Sequence, residues 1–78
     1  MANDATRAMS EARAAVLDTL LEKVRQDRFP SLTVLDQVEE LLEPDDVPDY
    51  VQVLLEKISD DRFPSITLVR RVVSLTTP

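Results

Sequence analysis

The 78-residue chain has no cysteine, histidine, glycine or tryptophan. With cysteine and histidine both missing, there is no thiol nucleophile, disulfide framework, zinc finger or haem ligand. The commonest general base is missing with them. Without glycine there is no Walker loop, dinucleotide-binding fingerprint or nucleophile elbow. Aromatic residues are limited to Phe29, Tyr50 and Phe63, so no stacking platform for single-stranded nucleic acid is present. Apolar runs are only a few residues long, as at Val53-Leu54-Leu55, and none is long enough to span a bilayer. Residues 1–10 lack the apolar core of a secretory leader. No cofactor, metal or membrane is therefore expected as a ligand.

What is present is acidic and moderately apolar. Nine basic residues stand against fifteen acidic ones, for a net charge of −6, and 44% of residues are apolar. The acidic balance works against nonspecific binding to nucleic acid or anionic membranes. A chain of this length buries roughly 60% of its unfolded surface, so its core is small. Compact helix packing, a partner or self-association must supply the stability that disulfides and metals give other small domains. The lack of cysteine fits a cytoplasmic setting. Arginine outnumbers lysine seven to two, as expected of a high-GC bacterial genome.

The chain is organised by an internal repeat. Residues 16–42 align without gaps on residues 50–76, at an offset of 34, with twelve of 27 pairs identical. The identities include Leu20-Leu21-Glu22-Lys23 with Leu54-Leu55-Glu56-Lys57. They also include Asp27-Arg28-Phe29-Pro30-Ser31 with Asp61-Arg62-Phe63-Pro64-Ser65. Each unit reads as helix, tight turn, helix. The first helix is expected to bury a stripe of Met9, Ala12, Val16, Leu20 and Val24, widened by Leu17 and Leu21, with Ser10 as its N-cap. Its partner helix places Leu32, Leu35, Val38, Leu41 and Leu42 on one face. Asp36, Gln37, Glu39, Glu40 and Glu43 lie on the other.

Residues 44–49 form the joint, where Asp45 or Asp46 can cap the third helix and Pro48 suits its first turn. The third helix is expected to bury Val47, Val51, Leu54, Leu55 and Ile58, with Tyr50 packed at the edge and its hydroxyl outward. The fourth runs from about Ile66 to Leu75 over a stripe of Ile66, Val69, Val72 and Val73. Its β-branched residues lower helix propensity slightly, but symmetry with the first unit favours helix over strand.

The fold expected is all-α: two tandem helical hairpins closing into a compact four-helix bundle. Residues 1–8 read as a flexible arm and residues 9–78 as one domain, with repeat units over about 9–43 and 50–76. The 34-residue period is also that of tetratricopeptide repeats. Those expect glycine and small residues at fixed positions, however, and two units are too few for a stable solenoid.

The duplicated Asp-Arg-Phe-Pro-Ser turn has a structural reading and a functional one. Pro30 and Pro64 stop the preceding helix and push Phe29 and Phe63 into extended backbone, from which the rings can fold into the hairpin interior. Arg28 and Arg62 suit a helix C-terminus, and Ser31 and Ser65 suit the next N-cap. Functionally, an up-down-up-down bundle gathers Asp27, Arg28, Asp61 and Arg62 into one polar rim that could dock a partner.

Charge is segregated along the chain. Residues 1–35 carry five acids and five bases, residues 36–61 ten acids and one base, and residues 62–78 three bases and no acid. The acidic block reads first as a solvated face and second as a docking surface. Glu43, Asp45, Asp46 and Asp49 lack the calcium-loop spacing and its glycine. On the last helix, Leu68, Val69, Val72, Val73 and Leu75 cover more than one face, which suggests a homodimer contact through Val73. Arg70 and Arg71 could pair with acidic residues within the chain or across that contact. With Thr67 they could instead serve a helix-turn-helix DNA reader, although the repeat mate offers Asp36, Gln37 and Glu40, which repel phosphate.

Catalysis has no foothold, since the carboxylates lie on helix surfaces and the hydroxyls lack a histidine partner. The function expected is a non-catalytic protein–protein interaction module: a small adaptor, assembly factor or inhibitor. The alternative is a small helix-turn-helix DNA-binding regulator.

Overall fold

In the computed structural model, which describes residues 2–77 with side chains from Asp4 onward, the chain is all-helical. Helix α1 spans Ala2–Gln26, α2 Leu32–Leu41, α3 Val47–Asp60 and α4 Ile66–Thr76, with a 3₁₀ turn at Pro44–Asp46 leading into α3. No strand occurs among the described residues, so the fourth segment is helix despite its valines. Helix α1 packs on α2 and α3 packs on α4, forming two hairpins that divide between Leu41 and Leu42. The first helices of the pairs end at Gln26 and Asp60, and the second begin at Leu32 and Ile66. Both pairs of boundaries lie 34 residues apart. Among the described residues no helix is long and apolar enough to cross a membrane.

In the first hairpin the buried side chains are Leu17, Leu21 and Val24 on α1 and Leu35 and Val38 on α2. The i, i+3, i+4 spacing that brings these residues to one face is the helical period. Helix α1 begins well before the expected cap, and Ser10 lies inside it. The segment expected as a loose arm is thus helical from Ala2, while Met1 and Pro78 fall outside the described residues. Six alanines before Val16 and Asp4 in the first turn favour continuation, and no glycine or proline interrupts the chain before Pro30.

Every side chain from Asp4 to Val16 is exposed, so Met9, Ala12 and Val16 are not part of the core as expected. Length is the reason. A ten-residue α2 spans about 15 Å, whereas a 25-residue α1 spans about 37 Å. The shorter helix covers only the later turns. One side chain reaches back from the uncovered stretch: Arg13 Nη2 donates to the carbonyl oxygens of Glu40 and Leu41, each at 3.4 Å. Those oxygens belong to the last turn of α2, where helix carbonyls lack an internal donor.

The second hairpin buries Tyr50, Val53 and Leu54 on α3 and Leu68 on α4. The α3 stripe therefore lies to one side of the expected one. Leu54 is common to both, Leu55 is exposed, and Val47, Val51 and Ile58 are half-buried. Tyr50 is 0% exposed, contrary to the expected outward placement. Turning α3 to enclose an aromatic ring gains more apolar burial than enclosing Leu55 would. On α4 the expected stripe is likewise corrected. Leu68 is the buried residue, Val69, Val72 and Leu75 are half-buried, and Ile66 and Val73 face solvent.

The joint differs in one detail. Asp46 precedes α3 as its N-cap but gives it no side-chain bond. Its Oδ2 instead accepts from Glu43 N at 3.1 Å, closing the 3₁₀ turn.

Candidate functional site

The two copies of the turn are built alike. In the first, Asp27 N donates to Lys23 O at 3.0 Å, a last helical bond beyond Gln26. Lys23 Nζ lies 3.6 Å from the Asp27 carboxylate, one turn away on the same face. Arg28 and Phe29 form a bend. Pro30 cannot continue a helix, and Ser31 opens the next one. Ser31 Oγ accepts from Val34 N at 3.4 Å, and Ser31 O accepts from Leu35 N at 3.0 Å. In the second copy Asp61 leaves the helix in extended backbone, and Arg62 and Phe63 form the bend. Ser65 Oγ accepts from Leu68 N at 3.4 Å, and Ser65 O accepts from Val69 N at 3.1 Å. The serine thus satisfies one orphan amide of the next helix in both turns.

The phenylalanines depart from expectation. Phe29 is 75% exposed and Phe63 is 85% exposed, so neither ring enters its hairpin interior. The first hairpin is already closed beneath the turn by Val24 and Leu35, both fully buried. In the second, Tyr50, Val53 and Leu54 are the fully buried residues. Each ring is covered instead by the arginine before it. The Arg28 Cζ atom lies 5.4 Å from the Phe29 centroid, and Arg62 Cζ lies 5.7 Å from the Phe63 centroid. A guanidinium over an aromatic face is attracted by the ring quadrupole. The arginines therefore stack in the turns, and Lys23, Arg25 and Lys57 supply the cations in the last turns of α1 and α3.

Three residues beyond each phenylalanine, at the start of the following helix, an aliphatic residue is exposed, Leu32 at 49% and Ile66 at 63%. Each hairpin thus exposes a stacked Arg–Phe pair and a branched aliphatic side chain. Among the described residues neither Arg28 nor Arg62 is in an ion pair, and each guanidinium lies over its phenylalanine ring. The remaining candidate residues fall unevenly. Asp27, Asp61 and Arg71 are half-buried, while Arg70 and Val73 are exposed on α4. Ile66, Arg70 and Val73, at i, i+4 and i+7, share one face of that helix.

The exposed Leu32–Ile66 pair is what reading the sequence missed, because both residues fit an apolar helix stripe. The usable signal lay in their place directly after the cap serine, at the outer edge of the stripe. Comparison with protein-family models, curated proteins and solved structures finds no match to this chain.

Proposed function

We propose that the protein is a non-catalytic protein–protein interaction module acting in the cytoplasm, and that the duplicated turns are its contact points. The proposal retains two repeat units closing into a four-helix bundle as its architecture. The observation that carries it is the exposure of Phe29 and Phe63. A large aromatic ring in water leaves considerable apolar area unburied. Aromatic residues and arginine are the types enriched at the energetic centres of protein interfaces. Both occur here together, twice, on surfaces held in place by a cap serine and a proline. A purely architectural turn requires Pro30 and Ser31 but gains little from an exposed ring.

The test compares wild type with the Phe29→Ala/Phe63→Ala double variant as immobilised baits. Circular dichroism and thermal melting establish that both are folded. A partner that is retained by wild type and lost by the folded double variant is the expected result. Identical retention by both removes the turns as contact points.

A further inference from the structure

The two units present opposite charges at equivalent positions. Asp36 stands four residues beyond Leu32, and Arg70 stands four residues beyond Ile66. Both are exposed. The first hairpin therefore offers a surface of Phe29, Leu32 and a carboxylate. The second offers Phe63, Ile66 and a guanidinium on the same plan, extended by Val73. Placing each charge and its aliphatic neighbour at i and i+4 puts them on one face of the helix. Arg70 is in no ion pair among the described residues. Asp36 already interacts within its chain, but a carboxylate has acceptor sites for more than one donor.

We infer that the partner is a second copy of this chain: the Phe29–Leu32–Asp36 surface of one copy docks on the Phe63–Ile66–Arg70 surface of another. The inference rests on the interaction-module reading and assigns its partner. Charge complementarity of the surfaces themselves supports it. Docking either surface on its own kind would set Asp36 against Asp36 or Arg70 against Arg70, and docking unlike surfaces pairs them. Each surface brings exposed apolar side chains to that contact: Phe29 and Leu32 on one, Phe63, Ile66 and Val73 on the other.

A pairing of unlike surfaces predicts a distinctive pattern. Asp36→Arg sets two guanidinium groups against each other at the contact, and Arg70→Asp sets two carboxylates against each other. Either change alone should weaken self-association by about tenfold or more, because reversal replaces attraction with repulsion at each contact. Mixing the two variants restores an opposite-charge pair, since each then offers what the other lacks.

The experiment is absolute mass by multi-angle light scattering and sedimentation across a hundredfold concentration range. Wild type, each single variant and their equimolar mixture are compared, with circular dichroism on each. The expected result is a wild-type mass that rises above 8.8 kDa with concentration. Each variant should need about tenfold higher concentration or more to reach the same mass, and the mixture should form a complex containing both at wild-type concentrations. A wild type that stays at 8.8 kDa throughout overturns the inference. So does a mixture that stays monomeric, or single variants that associate like wild type. Should Asp36→Arg disturb the fold, Phe63→Ser decides instead: unchanged association overturns the inference, and a loss sustains it. Failure here leaves the interaction-module reading standing, because the double-alanine bait comparison tests that separately.

Discussion

Arg13 holds the end of α2 through Leu41, whose carbonyl oxygen accepts from Arg13 Nη2 at 3.4 Å. The same nitrogen serves Glu40 O at 3.4 Å, so one guanidinium on α1 covers two carbonyls of the last turn of α2. Arg13→Ala removes both bonds and leaves those oxygens to water. Because the site is exposed, the expected cost is modest, about 0.5–1 kcal/mol, and urea unfolding is the check. An unchanged denaturation midpoint would show that water replaces the arginine without loss.

The three aromatic residues divide sharply by burial. Tyr50→Ala opens a cavity at a fully buried position and should cost about 3–5 kcal/mol, enough to unfold a domain this small. Tyr50→Phe keeps the ring volume and should cost far less. Phe63→Ala, at a site 85% exposed, should shift stability by no more than about 0.5 kcal/mol. Thermal melts of the three variants test this order. A Phe63→Ala loss as large as that of Tyr50→Ala would mean the ring packs in solution.

Ser31 and Ser65 each cap a helix through one bond to an amide three residues on. Replacing either with alanine should destabilise by about 1 kcal/mol, and replacing either with glycine by only a few tenths. The test is far-ultraviolet circular dichroism during denaturation of the four variants. Equal effects of alanine and glycine would indicate that the side-chain bond contributes nothing.

Helix α4 also separates the interaction module from a DNA reader. Of the residues expected to read DNA, Thr67 and Arg70 are exposed and Arg71 is half-buried, so part of that face is open. Yet the chain carries −6, and phosphate neutralisation dominates DNA affinity. Mobility-shift titration at low salt should show no complex. A complex with a steep salt slope that Arg70→Glu weakens would revive the regulator reading.

Much of the local structure is legible in the residues. Pro30 and Pro64 end the first helix of each pair, Ser31 and Ser65 open the second, and the 34-residue offset reproduces these boundaries twice. Such features depend on a few neighbouring atoms, so nearby residues suffice to read them. The start of α1 escapes such a reading, because Ser10 is a good cap only where the preceding chain is not already helical. Alanine-rich sequence makes it so.

Which face each helix buries is a different matter. Leu17 and Leu21 are buried in the first hairpin, whereas their repeat mates Val51 and Leu55 are half-buried and exposed. Val16 is exposed, whereas its mate Tyr50 is fully buried. Aligned sequences with the same periodicity thus bury different sides. The order of residues alone sets the helices, most of their ends, the caps and the segregation of charge, because these follow from bonding within a few residues. The rotation of each helix, the burial of Tyr50 and the exposure of Phe29 and Phe63 are settled by tertiary packing. An apolar stripe wider than its partner can cover leaves several rotations open. Close contact with the particular helix opposite selects among them.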